Sequence, residues 1–389
     1  LGLQNTFSNG VIALGIKNYL RILLSRDKTI KFMTGYSFGK KTTAFVFSGG
    51  ASLGAVELGA LKAIVEEGIQ ADLVLGTSVG SLNGSMYAYD PSTKGIQFME
   101  KIWTTIKTKN VFTPSPLVPL FNITTFGLYL ISPKNLRKLI TENMPFERIE
   151  EANIPLYIIG TDIKNGEEIV FNKGLLLEAL MSSAAIPGVF PPQRMKGHMI
   201  VDGGVINNAP ISTAVRLGAE RVVVFPIGTP SPNQEPKTVA EMLIHSFIYL
   251  LNRQLATDLQ LYKKKVDLIV VPPPGDINIG PHDFSKSRKL IDQSYKTAKD
   301  WLKKDGFYPN VDTLNHPCDV HTPDINFIEA ITPEAGPKAT TRVKETVGKT
   351  AKSIDEKLTK KTEEIKKELV AVKDEIVEKV FGKKKEEED

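Results

Sequence analysis

The chain has 389 residues, 41% of them hydrophobic and 24% charged, with a formal net charge of +5. That balance suits a soluble protein with material for one large core or two smaller ones, and a deep pocket that excludes water. Its single cysteine, Cys318, excludes an internal disulfide framework and a cysteine-built zinc site, and it fits a reducing, cytoplasmic setting. No run of about 18 apolar residues occurs, so a bilayer-spanning helix is not expected.

The charge is concentrated at the start. Residues 1–41 hold seven Lys or Arg against Asp27 alone. Ile12, Ile16, Tyr19, Leu20 and Leu23 fall on one helical face, with Lys17, Arg21 and Lys28 on the other. Such a helix can lie peripherally on an anionic membrane or pack on its own domain with a solvated basic face. Lys17 and Arg21 break the apolar run that a secretory signal needs. A chain opening on Leu1 leaves room for a preceding leader.

From residue 42 to about 228 short β-rich runs alternate with helical stretches, the rhythm of an α/β protein with a mainly parallel sheet. Strands are expected at 42–47, 72–76, 156–163, 168–171, 198–204, 221–228 and 266–274. Helices are expected at 53–68, 78–89, 175–185 and 211–218. Residues 110–133, rich in proline and large apolar side chains, break the rhythm as a cap. There Phe112, Leu117, Phe121, Phe126 and Leu128 either rim a lipid-binding mouth or cover the sheet.

After 310 the composition shifts twice. Residues 311–336 form a linker, and 337–389 a Lys/Glu-rich amphipathic helical tail whose apolar or small residues recur every 3.7 positions from Val343 to Val380. That period is nearer to an 11-residue repeat than to the heptad of a left-handed coiled coil, so self-association through it should be weak or reversible. Fifteen basic against thirteen acidic residues in the tail argue against a polybasic anchor and against nucleic-acid binding.

Two loops carry chemistry. In "LVLGTSVGSLNG", Ser78 with Gly76 and Gly80 satisfies G-x-S-x-G at a strand-to-helix junction, the turn that lifts a nucleophilic hydroxyl clear of a sheet. "SGGASLGAV" opens a helix after the first strand, and its backbone N–H groups make an anion cradle. Ala55 and Val56 stand where a nucleotide P-loop requires Lys and Ser/Thr, and Ser52 where a dinucleotide loop requires glycine. What remains is a cradle without a cation, suited to a tetrahedral oxyanion. Both loops should lie at the carboxyl edge of the sheet. The residues leave the base open: Asp202 in "IVDGGVINNAP", or a Ser–Asp–His triad using His282 or His316.

"FSGGASLGAVELGALKAI", "GTSVG", "SSAAIPGVFPP" and "VDGGVINNAPIS", in that order and spacing over residues 42–228, resemble the patatin-like phospholipases, lipid acyl hydrolases with a Ser-Asp dyad. The resemblance implies a three-layer α/β/α domain spanning 42–310 that acts on phospholipids or related acyl esters. It further implies Ser78 as nucleophile and Asp202 as base, with Gly49, Gly50 and Ala51 around the oxyanion hole. Gly54, Gly76, Gly80, Gly203 and Gly204 would support these motifs, with no metal or cofactor. Asp162 matches a further family position and is read as structural. The family's commoner loop is G-G-G-x-R-G. Here Ala51 replaces the third glycine, which calls for a negative φ, and Leu53 replaces the arginine, a natural phosphate partner. A non-catalytic acyl-lipid-binding or scaffolding module and a His-dependent hydrolase are the rival readings.

Overall fold

The computed structural model describes residues 41–112, 128–228, 239–275, 277, 279–280 and 282–313. The chain divides into two compact units, Leu1–Thr322 and Pro323–Asp389. The basic segment over 1–40, the centre of the expected cap, His316 and the helical tail lie outside the described residues.

Eight strands form one sheet: β1 Thr43–Phe47, β2 Leu73–Thr77, β3 Leu156–Asp162, β4 Glu167–Phe171, β5 Gln193–Met195, β6 His198–Asp202, β7 Arg221–Phe225 and β8 Asp267–Val270. Their order is β5-β6-β3-β2-β1-β7-β8, with β4 also paired to β3. The run β3-β2-β1-β7-β8 is parallel, whereas β4 and β6 are antiparallel to β3, and β5 to β6. The expected strands are present, and β5 is an addition that three residues of "QRM" could not signal.

The helices are α1 Gly54–Glu66, α2 Val79–Tyr89, α3 Thr93–Thr105, α4 Thr108–Val111, α5 Lys134–Asn143, α6 Leu176–Ser183, α7 Ile211–Arg216, α8 Val239–Tyr262 and α9 Ser287–Lys304. The two-residue alternation of β1 sorts them into layers. Phe45 and Phe47 belong to the core shared with α1, α2, α3 and α9, where Phe47 stacks on Phe225 at 4.7 Å and Phe45 on Tyr87 at 5.4 Å. Ala44 and Val46 belong to a second core with Ile211, Ala214, Leu255 and Leu259 of α7 and α8. The result is the three-layer α/β/α architecture. No helix among the described residues is long and apolar enough to cross a membrane.

The edges of β3 place the site. β4 pairs with Ile158 to Asp162 along one edge. The other edge is shared: β2 occupies it up to the pair Thr77↔Ile159, and β6 takes over with Gly160↔Asp202. β2 and β6 therefore meet end to end, Ser78 leaving where Asp202 arrives. A Cβ on Gly203 would stand 2.4 Å from the Ile159 carbonyl oxygen, so only glycine lets the chain turn away at that junction.

Gly80 is as constrained, since a Cβ there would lie 2.5 Å from the carbonyl oxygens of both Phe47 and Ser48. Neither oxygen belongs to a flexible side chain, so α2 would have to move off the sheet. Gly80→Ala should lower the stability of the domain by about 1–3 kcal/mol, the usual cost of overpacking, seen as an earlier urea midpoint. An unchanged midpoint would show that α2 can shift freely.

Candidate active site

Ser78 links β2 to α2 with φ 53° and ψ −125°, backbone values that a non-glycine residue holds only under constraint. The constraint is built from hydrogen bonds. The Ser78 N–H donates to Ser183 Oγ at 2.8 Å, and its carbonyl accepts from the Ser81 N–H at 3.0 Å and the Ser81 hydroxyl at 2.6 Å. The strained turn stands at the strand junction beside Asp202, whose carboxyl pKa the Ser78 side chain lowers. Both residues are buried.

Asp202 Oδ1 also accepts from the Gly204 N–H at 2.8 Å. Burial pushes its pKa up to about 6, against the opposing pull of the hydrogen bonds from Ser78 and Gly204. A second carboxyl lies beneath the glycine-rich loop. Glu57, fully buried in the first turn of α1, accepts from the Ser48 N–H at 2.6 Å and from Asn83 Nδ2 at 2.8 Å, while Asn83 Oδ1 accepts from Trp103 Nε1 at 2.9 Å. Burial raises its pKa well above the usual carboxylate range.

The cradle is smaller than the sequence implies. The Gly49 N–H is committed to Asn208, donating to its Oδ1 at 3.1 Å and its carbonyl at 3.2 Å, so it is not free to meet an oxyanion. The N–H groups of Gly50 and Ala51 donate to no described residue. Ala51 departs from the negative φ expected of alanine and stands at 51°, because the chain must turn sharply there between the extended Gly50 and the helical turn Ala51–Leu53.

The tie from Gly49 makes Asn208 a site residue that the motifs did not single out. Its Nδ2 also donates to the Gly49 carbonyl at 3.3 Å, and neighbouring Asn207 accepts at its carbonyl from Thr77 Oγ1 at 2.9 Å. The paired asparagines after "DGG" thus fasten the Asp202 loop to both other loops. Two consecutive polar side chains ahead of Pro210 were the available signal. Ser183, in "SSAAIP", had none, because its role depends on α6 packing under the elbow.

The remaining candidates lie elsewhere. His282 is exposed and shares no described hydrogen bond with Ser78 or Asp202. Asp162 Oδ2 lies 2.7 Å from His198 Nδ1, and this contact holds the Asp162 carboxyl below its ordinary pKa. The pair ties β3 to β6, and Asp162 Oδ1 also accepts from the Lys164 N–H at 3.1 Å in the β3–β4 turn. Among the described residues no group of three or more His, Cys, Asp or Glu could hold a metal ion.

From Ser78 an apolar cavity of about 80 Å³ extends between α2, α3 and α5, lined by Leu82, Met86, Trp103, Ile140 and Phe190 among others. Phe112 lines it and stacks on Phe190 at 5.8 Å, while Leu128 is exposed. Leu117, Phe121 and Phe126 lie outside the described residues.

A serine on a strained strand-to-helix elbow thus stands beside a buried carboxyl and near two N–H groups that donate to no described residue, the kinds of group that a serine hydrolase uses. Residues 45–215 match the patatin-like phospholipase family model. The neuropathy target esterase of Drosophila melanogaster is 29% identical over 220 residues, covering 54% of this chain and 15% of that protein. Human patatin-like phospholipase domain-containing protein 6 is 30% identical over 190 residues, covering 48% and 13%. The match thus spans only a small part of these curated relatives. Among solved structures, VipD from Legionella pneumophila is 13% identical, with a TM-score of 0.36, covering 68% of this chain and 67% of that one.

The positive φ of Ala51 has a measurable cost. An alanine in this region is disfavoured by about 1–2 kcal/mol, partly offset on glycine substitution by the freer unfolded chain. Ala51→Gly should raise stability by up to about 1 kcal/mol, read as a later urea midpoint. A lower midpoint would mean that the turn is not strained.

Proposed function

We propose that this domain hydrolyses carboxylic esters of acyl lipids, with Ser78 as nucleophile and Asp202 as base. The observation that carries this reading is the strand junction that sets the buried Ser78 and the buried Asp202 against each other at the ends of β2 and β6. Among the described residues no histidine shares a hydrogen bond with Ser78 or Asp202, which favours a dyad over a triad through His282. A binding or scaffolding module would need neither the strained elbow nor the buried acid. The relatives whose names include phospholipase or esterase support the same class of reaction.

Aspartate is ordinarily too weak a base for this task. Burial narrows the gap, because a carboxyl with pKa about 6 is ionised at neutral pH yet takes a proton more readily than one in water. Asp202 removes the Ser78 hydroxyl proton as Oγ attacks the ester carbonyl. The N–H groups of Gly50 and Ala51 receive the developing oxyanion, donors of a kind worth about 2.7–4 kcal/mol each when well aimed. Collapse expels the alcohol, which takes the proton from Asp202. Water then attacks the acyl-enzyme, passing its proton to Asp202, and the fatty acid leaves as Ser78 is restored. The acyl chain occupies the apolar cavity throughout. No step in this scheme uses a metal ion.

Hydrolysis of a medium-chain p-nitrophenyl ester in EDTA tests the scheme. Ser78→Ala and Asp202→Asn, each checked for folding, should lose about 100-fold or more, the scale of a lost catalytic group. Retained activity in either folded variant would remove that residue from the mechanism, and loss of wild-type activity in EDTA would overturn metal independence.

The base must be ionised, so kcat/KM should fall about tenfold per pH unit below pH 6 and level off above it. Stability runs the other way. A carboxyl whose pKa is higher folded than unfolded binds its proton more tightly in the native state, so ionisation between about pH 4 and 6 destabilises the fold. Asp202→Asn should therefore exceed the wild type in urea midpoint at pH 8, with the gain shrinking toward pH 4. A gain independent of pH would contradict the shifted pKa.

A further inference from the structure

Ser48 is the first residue beyond the paired length of β1, whose register ends at Phe47↔Gly76 on one side and Phe47↔Phe225 on the other. Its N–H has therefore left the ladder and needs another acceptor. Glu57 Oε1 takes it at 2.6 Å, and the Ser48 hydroxyl donates to the Phe225 carbonyl at 3.0 Å. The loop thus enters its turn toward Gly50 and Ala51 from a point fixed by a side chain of α1. Glu57 is fully buried, and among the described residues neither of its hydrogen bonds comes from a cation. Holding a carboxyl there costs more than an uncharged acceptor of the same shape would.

Its second oxygen leads to the cavity. Asn83 Nδ2 donates to Glu57 Oε2 at 2.8 Å and to the Gly54 carbonyl at 2.9 Å, and Asn83 Oδ1 accepts from Trp103 Nε1 at 2.9 Å. Asn83 and Trp103 both line the apolar cavity that opens from Ser78. Trp103 also packs against the start of α1, where a Cβ on Gly54 would stand 3.0 Å from its ring. An indole N–H can only donate and both Glu57 oxygens face N–H groups, so the orientation of the Asn83 amide between them is fixed. From this line of hydrogen bonds, and resting on the ester-hydrolase reading above, we infer that Glu57 is a positioning residue that links filling of the acyl cavity, through Trp103 and Asn83, to the hold on the oxyanion loop. An acyl chain packed on Trp103 restrains the indole, and with it the amide and the carboxyl that fix Ser48. Binding energy from a remote part of the substrate is then expressed at the reacting centre, so a shortened acyl chain loses kcat and not only affinity.

The test is hydrolysis of p-nitrophenyl acetate and p-nitrophenyl hexanoate by the full chain, with a urea midpoint on each variant to confirm folding. The wild-type kcat should rise several-fold from the acetate to the hexanoate. Glu57→Gln keeps the shape of the side chain and an acceptor for the Ser48 N–H, but it turns a donor toward Asn83, whose amide must then invert and release Trp103. The hexanoate-to-acetate ratio of kcat should fall about three- to tenfold in this variant, the scale of one lost hydrogen bond, with KM for each ester within about twofold. Trp103→Phe, which removes the N–H, should lower the same ratio, and the double variant should fall no further than the lower of the two singles, as for residues acting in one chain. A carboxyl that only supports the fold would depress both esters alike. A wild-type kcat that does not rise with chain length, an unaltered ratio in folded Glu57→Gln, or additive losses in the double variant overturns the link and leaves the hydrolase reading intact. A wild type inert toward both esters overturns the hydrolase reading, and the link with it.

Discussion

A β-strand offers two edges, and the site depends on how β3 shares one of them. Because β4 takes the far edge, β2 and the antiparallel β6 are confined to the near one, where they meet between Ile159 and Gly160. The end of one strand must bend away for the other to arrive. Ser78 bends upward into α2, and Asp202 passes into the turn at Gly203 and Gly204. Ser78 and Asp202, the proposed nucleophile and base, are adjacent through backbone pairing, so their approach does not rely on the rotamers of long side chains. Glycine is required where these turns approach strand carbonyls.

The same junction concentrates unfavourable features. Ser78 and Ala51 both hold positive φ, and the carboxyls of Asp202 and Glu57 are buried with no cationic partner among their hydrogen bonds. Each of these weakens the fold taken alone. They persist because the surrounding sheet is dense with apolar contact and because each strained loop is tied to another. Ser183 holds the elbow, Asn207 and Asn208 hold the acid loop, and Glu57 holds the cradle. The strained turn sets the buried serine at the strand junction, and burial raises the pKa of the aspartate beside it. What costs stability here is also what gives the residues their chemistry.

The domain departs from the commoner patatin-like loop at two positions, and the two differ in kind. Ala51 keeps the backbone shape of a glycine at an energetic cost, so the cradle survives the substitution. Leu53 instead turns a polar position into core, joining Leu58 and Leu61 in the apolar cluster. The first change keeps the backbone shape of the loop, and the second removes a charged side chain from it and adds an apolar one to the core.

Much of this was legible in the sequence. Unbroken apolar runs in "TAFVF" and "RVVVF" mark strands with two covered faces, and the glycines around Ser78 mark a turn that a close strand–helix junction needs. Local sterics and hydrophobic period act within a few residues, so they survive in one dimension. The long helices α3, α5, α8 and α9 are set by packing against elements far along the chain, and they left weaker marks. Three further points belong to the tertiary structure alone. The antiparallel entry of β6 sets Asp202 against Ser78, Asn208 takes the Gly49 N–H out of the oxyanion cradle, and the sharp turn at Ala51 forces a positive φ. Each depends on segments more than a hundred residues apart, or on a backbone angle imposed by them. Residue type and spacing carry no record of such pairings until the chain has closed around its sheet.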